Sequence, residues 1–265
     1  MKQSGNHEII PYFVLAFLLA WGAEAIIFAG ERSGLLTGTV GYVLTFLLIG
    51  FGAGFAPAYA AVILLYRQKA ITGIGSLFRL IIRTPNRKKT VWITAIFFLS
   101  QLLVNGISEN YLGKPWYYFI LLIPLMIVGG GVEEIGWRGF LLPRMERKYP
   151  FFVSAFIIGV LWGCWHLPLW LIRTASQSGM NILSFLCYCI TFSFVLGLLY
   201  RLTKSIFACI MLHAWGNVLQ DMFTRSALTD PVSIKMAVIW GVEILIAIIV
   251  SFLTDALEKP TSGNG

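Results

Sequence analysis

Eight apolar runs, near residues 9–29, 40–66, 91–107, 117–142, 151–173, 180–200, 205–224 and 234–254, make up most of this chain. Each approaches or exceeds the ~20 residues an α-helix needs to cross a hydrocarbon core of ~30 Å; the third is the shortest. Their apolar residues run on continuously and do not alternate with polar ones, which selects helices over barrel strands. In lipid the backbone has to satisfy its own hydrogen bonds, and a helix does so within each segment. The expected fold is therefore all-α, a polytopic membrane helical bundle of about eight transmembrane helices. Composition agrees, since only 12% of the 265 residues are charged, against roughly a quarter in a soluble domain.

The basic residues orient the bundle. With the N-terminus in the cytoplasm, fourteen lysines and arginines fall on the cytoplasmic side and five on the outer side, as the positive-inside rule requires. Both termini are then cytoplasmic. The net charge of +8 reflects this orientation and anionic lipid, and nothing points to nucleic acid. Half of the cytoplasmic cations lie in the loop 67–90. There Leu77, Leu80 and Ile81 share one helical face and Arg79 and Arg83 another, which predicts a short cytoplasmic interfacial helix ending near Pro85. Lys2, the first apolar run and Ala23-Glu24-Ala25 imitate a cleavable signal peptide. The run continues through Ile26, Ile27 and Phe28 to spanning length, so it reads as a retained first span. Cys164, Cys187, Cys189 and Cys209 all fall in spans and read as packing residues. The chain forms one domain over 1–265, with a small polar tail, 259–265, expected to be disordered.

Polar residues inside the spans gather late in the chain. Carboxylates at membrane depth are costly and usually mark function, and here Glu133 and Glu134 are adjacent in an otherwise lipid-compatible run. Glu134 and Arg138 are spaced i, i+4, about 40° apart around a helix, so they can form an ion pair. Glu133 lies about 140° from Arg138 and is left free for chemistry. Counted from the cytoplasmic ends of their spans, Glu133, His166 and His213 lie ~16, ~22 and ~14 Å deep at 1.5 Å per residue. All three thus end in or near the middle third of the bilayer. His213 and Asn217 are again i, i+4 and share a face. Glycines flank these sites (129–131, 136, 139, 159 and 163). Small residues let membrane helices approach closely, and the triple glycine can loosen the helix just before Glu133. A carboxylate beside an imidazole can take a proton from water. A histidine and an amide on one face can donate to developing negative charge.

Glu133-Glu134-x-x-x-Arg138, then Trp162-x-x-x-His166, then His213-x-x-x-Asn217, in this order on successive helices, resembles the CPBP family. That group includes Ras-converting CAAX prenyl endopeptidases and bacterial Abi-type proteins linked to bacteriocin immunity. The resemblance covers roughly residues 115–220, the expected catalytic core. The family commonly has phenylalanine where this chain has Trp162. The resemblance implies a membrane-embedded endopeptidase of helical fold that acts on a peptide or protein substrate, which can be lipidated. By carry-over, Glu133 and His166 activate water, His213 and Asn217 support the oxyanion, and Glu134, Arg138 and Trp162 brace the site. CAAX-type processing, peptide maturation and bacteriocin self-immunity all remain open as roles. Short loops and economical size point to a bacterial cell membrane.

Metal use divides the mechanistic readings. Glu133, His166 and His213 could supply three zinc ligands with an open fourth position, so zinc or another divalent metal is the alternative cofactor. There is no H-E-x-x-H, and single ligands on three helices make a weaker metal signature, which favours no cofactor. Two non-proteolytic classes also compete. A transporter would bury midplane carboxylates too, but in paired broken helices of two related halves, and no second Glu-Glu segment occurs. An immunity protein acting by binding alone would not need the full motif set.

Overall fold

The structure, a computed structural model, describes residues 8–258. Long helices with the expected order run through it: α1 (Ile9–Arg32), α2 (Gly38–Leu47), α3 (Ala56–Arg67), α4 (Ile74–Ile82), α5 (Arg87–Ser108), α6 (Tyr118–Val128), α7 (Gly131–Met145), α8 (Phe151–Trp165), α9 (Ile182–Thr203), α10 (Ile206–Met222) and α11 (Ile234–Glu258). The tail 259–265 lies outside the described residues. The all-α membrane bundle expected from the apolar runs is what the chain forms, and the protein is an integral membrane protein.

Five unbroken helices are long and apolar enough to cross a bilayer, with α8 counted together with the turns that extend it to Leu171. Two further spans are bent pairs: α2 with α3, at 40°, and α6 with α7, at 43°. The short third run extends at both ends to the 22 residues of α5. The remaining expected span, the seventh in chain order, is α10, whose 17 residues are mostly buried among the other helices. A helix enclosed by protein need not match the full hydrocarbon thickness.

Local chemistry sets several boundaries. The side chains of Asn86, Asn181 and Ser205 accept from the backbone N–H three residues on and so cap α5, α9 and α10, satisfying donors that a helix start leaves open. Helix α8 packs along α9, where a Cβ at Gly159 would come within 2.6 Å of the Ile190 Cα. The packing role expected of this glycine follows from that approach. The four cysteines are free.

The interfacial helix forms where expected, as α4, but its two apolar sides differ in use. Leu77, Leu80 and Ile81 pack on Ala58, Ile135, Ile206 and Ile210, while Ile74, Phe78 and Ile82 are exposed. The inner face is thus spent on protein, and Ile74, Phe78 and Ile82 form the outward one.

Candidate active site

The helix breaks just before the two glutamates. After Val128 the chain passes through Gly129 and Gly130 and re-enters helix at Gly131. A Cβ on Gly130 would sit 2.6 Å from Asn217 Nδ2 and 3.0 Å from His213 Nε2. Only glycine fits there. The same geometry shows that these two nitrogens converge on one point beside the Gly130 backbone. Gly131 is equally crowded, since its Cβ would lie 2.9 Å from the Ile210 carbonyl oxygen. The start of α7 is therefore pressed directly against α10. Farther along α7 the turn widens over Trp137–Leu141 into a π-helix, a form often found at functional sites.

Glu134 is fully buried. Its Oε1 accepts from Arg138 Nη1 at 2.9 Å and from His213 Nδ1 at 2.8 Å. The i, i+4 pair expected from spacing is present, and it also reaches across to α10. Because a carboxylate only accepts, Nδ1 of His213 carries the proton and Nε2 is left facing Gly130. The Arg138 guanidinium also lies over the Trp162 ring, 5.4 Å from its centroid.

Glu133, one residue earlier, turns to α8. Its Oε2 accepts from Trp162 Nε1 at 2.8 Å. Four residues on, His166 closes the end of α8, and its Nδ1 lies 2.8 Å from the Trp162 carbonyl oxygen. A carbonyl only accepts, so His166 is the Nδ1–H tautomer and its Nε2 is the free, basic nitrogen. Trp165 and Phe185 pack edge-on against the His166 ring, at 4.6 and 5.0 Å between centroids.

All seven residues singled out from the sequence meet here. Trp162 is the hub: it holds Glu133 by its indole and His166 by its backbone, and its ring lies 5.3 Å from that of His213. Asn217 joins through the convergence at Gly130. Asp221, one turn beyond Asn217, forms an ion pair with Arg225.

Sequence reasoning missed the contribution of α1. Trp21 Nε1 donates to the Trp165 carbonyl at 3.0 Å, and Trp165 Nε1 donates to the Ala16 carbonyl at 3.3 Å. This reciprocal pair seats the end of α8, and His166 with it, on a helix that by sequence was only a first span. Phe192 of α9 was also missed. It stacks on Trp162 and meets His213 edge-on, at 6.3 and 6.0 Å. A phenylalanine in an apolar run gives no signal of such a role.

The alternative metal set was Glu133, His166 and His213. One oxygen of Glu133 is occupied by an indole N–H, and both histidines spend Nδ1 on protein partners. Among the described residues no three His, Cys, Asp or Glu side chains are arranged to hold a metal ion. Each of the three keeps one uncommitted atom, Glu133 Oε1 and Nε2 of both histidines, and an Nδ1–H given to protein is usual in metal-ligating histidines.

Comparison with known proteins adds the family. Residues 114–219 match the model of the type II CAAX prenyl endopeptidase Rce1-like family, close to the 115–220 segment that carries the motifs. The chain is 23% identical over 189 residues to CAAX prenyl protease 2 of Methanococcus maripaludis, covering 66% of each chain. It is also 23% identical over 214 residues to lysostaphin resistance protein A of Staphylococcus haemolyticus, covering 75% of this chain and 57% of that one. The chain thus spans about two thirds or less of the length of these relatives. The matches bear out the resemblance drawn from the three motifs. Over residues 114–219, where Glu133, His166 and His213 are brought together, the chain is similar to the type II CAAX prenyl endopeptidase Rce1-like family.

Proposed function

We propose that the protein is an intramembrane endopeptidase that hydrolyses a peptide bond in a hydrophobic or membrane-associated substrate by water activated at Glu133 and His166. The observation that carries this reading is the convergence of His213 Nε2 and Asn217 Nδ2 beside Gly130, next to a carboxylate and a second imidazole that keep one acceptor each.

Glu133 Oε1 and His166 Nε2 are the acceptors left after Trp162 has engaged the other atoms. A water between them gives its proton to one and is oriented by the other. Its oxygen adds to the scissile carbonyl, whose oxygen becomes an oxyanion. Asn217 Nδ2 donates to that oxyanion. For His213 to donate from Nε2 while Nδ1 donates to Glu134, the ring carries both protons, and Glu133 and Glu134 together offset its charge and that of Arg138. Collapse of the tetrahedral intermediate breaks the C–N bond, and the leaving amine takes back the proton held by Glu133 or His166. Arg138 keeps Glu134 in place. No step needs a metal.

The substrate is a peptide or protein presented from the membrane, lipidated or not. CAAX-type processing, peptide maturation and self-immunity against a bacteriocin would all use this chemistry; the first agrees with the name of one relative and the last with that of the other. The charge distribution favours both termini in the cytoplasm, and short loops and economical size a bacterial cell membrane. The test is cleavage of a library of membrane peptides by purified protein, with products identified by mass. Defined products from the native chain and none from Glu133→Gln support the enzyme. Equal products from both, or none from either, sink it, and proton or ion flux in proteoliposomes would then favour a transporter.

A further inference from the structure

A cavity of about 50 Å³ is bordered by Phe192, the ring that also stacks on Trp162. Residues of α5, α9, α10 and α11 and of the turn after α10 line it. Two carboxylates and one guanidinium line it: Glu109, Glu243 and Arg225. Two of these are already committed to protein. Glu109 accepts from the backbone of Ser226 and Ala227 and from the hydroxyls of Thr224 and Ser226, which fixes the turn after α10. Arg225 is paired with Asp221. Glu243 has a single neutral partner, Gln101, whose Nε2 donates to Oε1 at 2.6 Å. Among the described residues no cation pairs with it.

Glu243 sits nine residues into α11, ~14 Å from the start of that helix at 1.5 Å per residue, so its carboxylate lies at membrane depth. A carboxylate there is costly without a partner. The rest of the lining indicates which partner suits it. Trp240, Tyr188 and Phe192 give the cavity three aromatic side chains. Magnesium or calcium would ask for a shell of oxygen ligands. Aromatic rings with one carboxylate and one amide suit an organic cation, which the rings attract by their faces and the carboxylate by charge.

We propose that this cavity is a binding site for an alkylammonium group, with Glu243 as its counter-ion, Gln101 fixing the carboxylate, and Trp240, Tyr188 and Phe192 as its aromatic wall. The group is either a free amine or the ethanolamine end of a lipid. Phe192 is also the wall of the site at Trp162 and His213, so an occupant presses on the same ring that borders the proposed chemistry. The inference does not depend on the peptidase reading, because binding is read without turnover.

The test uses the full chain, purified in detergent and titrated with n-butylammonium chloride while the thermal unfolding midpoint is followed. Sodium chloride and n-butanol serve as matched controls. The expected result is a saturable rise with butylammonium alone. Glu243→Gln keeps an oxygen for Gln101 and therefore the fold, and it should weaken butylammonium at least tenfold. Glu24→Gln, which removes a buried carboxylate elsewhere, should leave the titration unchanged. An equal response to butanol and butylammonium in the native chain overturns the site, as does an unchanged affinity in Glu243→Gln. Nanodiscs then separate the two sources. Weaker apparent butylammonium binding in phosphatidylethanolamine than in phosphatidylglycerol identifies a lipid headgroup as occupant, and equal binding identifies a free amine.

Discussion

The indole Nε1 of Trp162 donates to Glu133 Oε2 at 2.8 Å, at the position where the CPBP family that the motifs resemble commonly carries phenylalanine. The same residue offers its carbonyl to His166 Nδ1. One side chain and its own backbone thus orient both groups assigned to the attacking water. Phenylalanine would keep the backbone contact and the ring stacking but not the indole donor.

Trp162→Phe therefore isolates the donor. It leaves a buried carboxylate oxygen without its partner, at a cost of about 1–3 kcal/mol. If that cost falls on the transition state, kcat drops about tenfold or more with little change in KM. Trp162→Ala, which also removes the ring beneath Arg138 and beside His213, should lose more and unfold at lower temperature. Native kcat in Trp162→Phe would show that the indole bond does not position Glu133.

Arg138 and Glu134 lead to a second expectation. Both are buried, and Glu134 also orients His213. Removing one member of such a pair strands the other, at about 3–5 kcal/mol. Arg138→Ala should lower the unfolding midpoint and the expression level along with activity. Arg138→Lys restores the charge without the planar fork and should recover stability only in part. A fully stable Arg138→Ala protein with no activity would move Arg138 from bracing into the chemistry.

These two relationships differ in how far they could be read from sequence. Glu134 with Arg138, and His213 with Asn217, are four apart on one helix, so helical geometry alone brings them to one face. The partners across helices, Glu134 with His213 and Glu133 with Trp162, depend on how α7, α8 and α10 pack, and no spacing encodes that. The triple glycine signalled a weak helix before Glu133, and the break is there. It did not reveal that Gly130 marks the point where His213 and Asn217 meet. The 67–90 loop gave its helix correctly. The protein-facing use of Leu77 and Leu80 was hidden, because an apolar face reads the same whether lipid or protein covers it.

Gly130 offers a sharper probe of the proposed oxyanion donors than either donor itself. In Gly130→Ala the new methyl would fall 2.6 Å from Asn217 Nδ2 and 3.0 Å from His213 Nε2. Both nitrogens have to move while every polar group is retained. Loss of one preorganised donor to an oxyanion typically costs about 10²–10³ in kcat. The expected outcome is a loss of at least about 100-fold in kcat with substrate binding largely kept. Native kcat would place the reacting carbonyl away from this point.

The last expectation concerns metal. Purified active protein should contain no stoichiometric zinc, and its activity should survive dialysis against a chelator. His213 Nε2 converges with an asparagine amide nitrogen and not with a third metal-binding group. An amide N–H₂ donates, so it suits an oxyanion and opposes a cation. Chelation alone is a weak test, because a buried ion can leave slowly. Elemental analysis of the native chain beside Glu133→Gln and His213→Asn decides the matter. One zinc per active chain, lost in both variants and restored together with activity on reconstitution, would replace the glutamate-activated water with a metal-bound one and make His166 and His213 ligands.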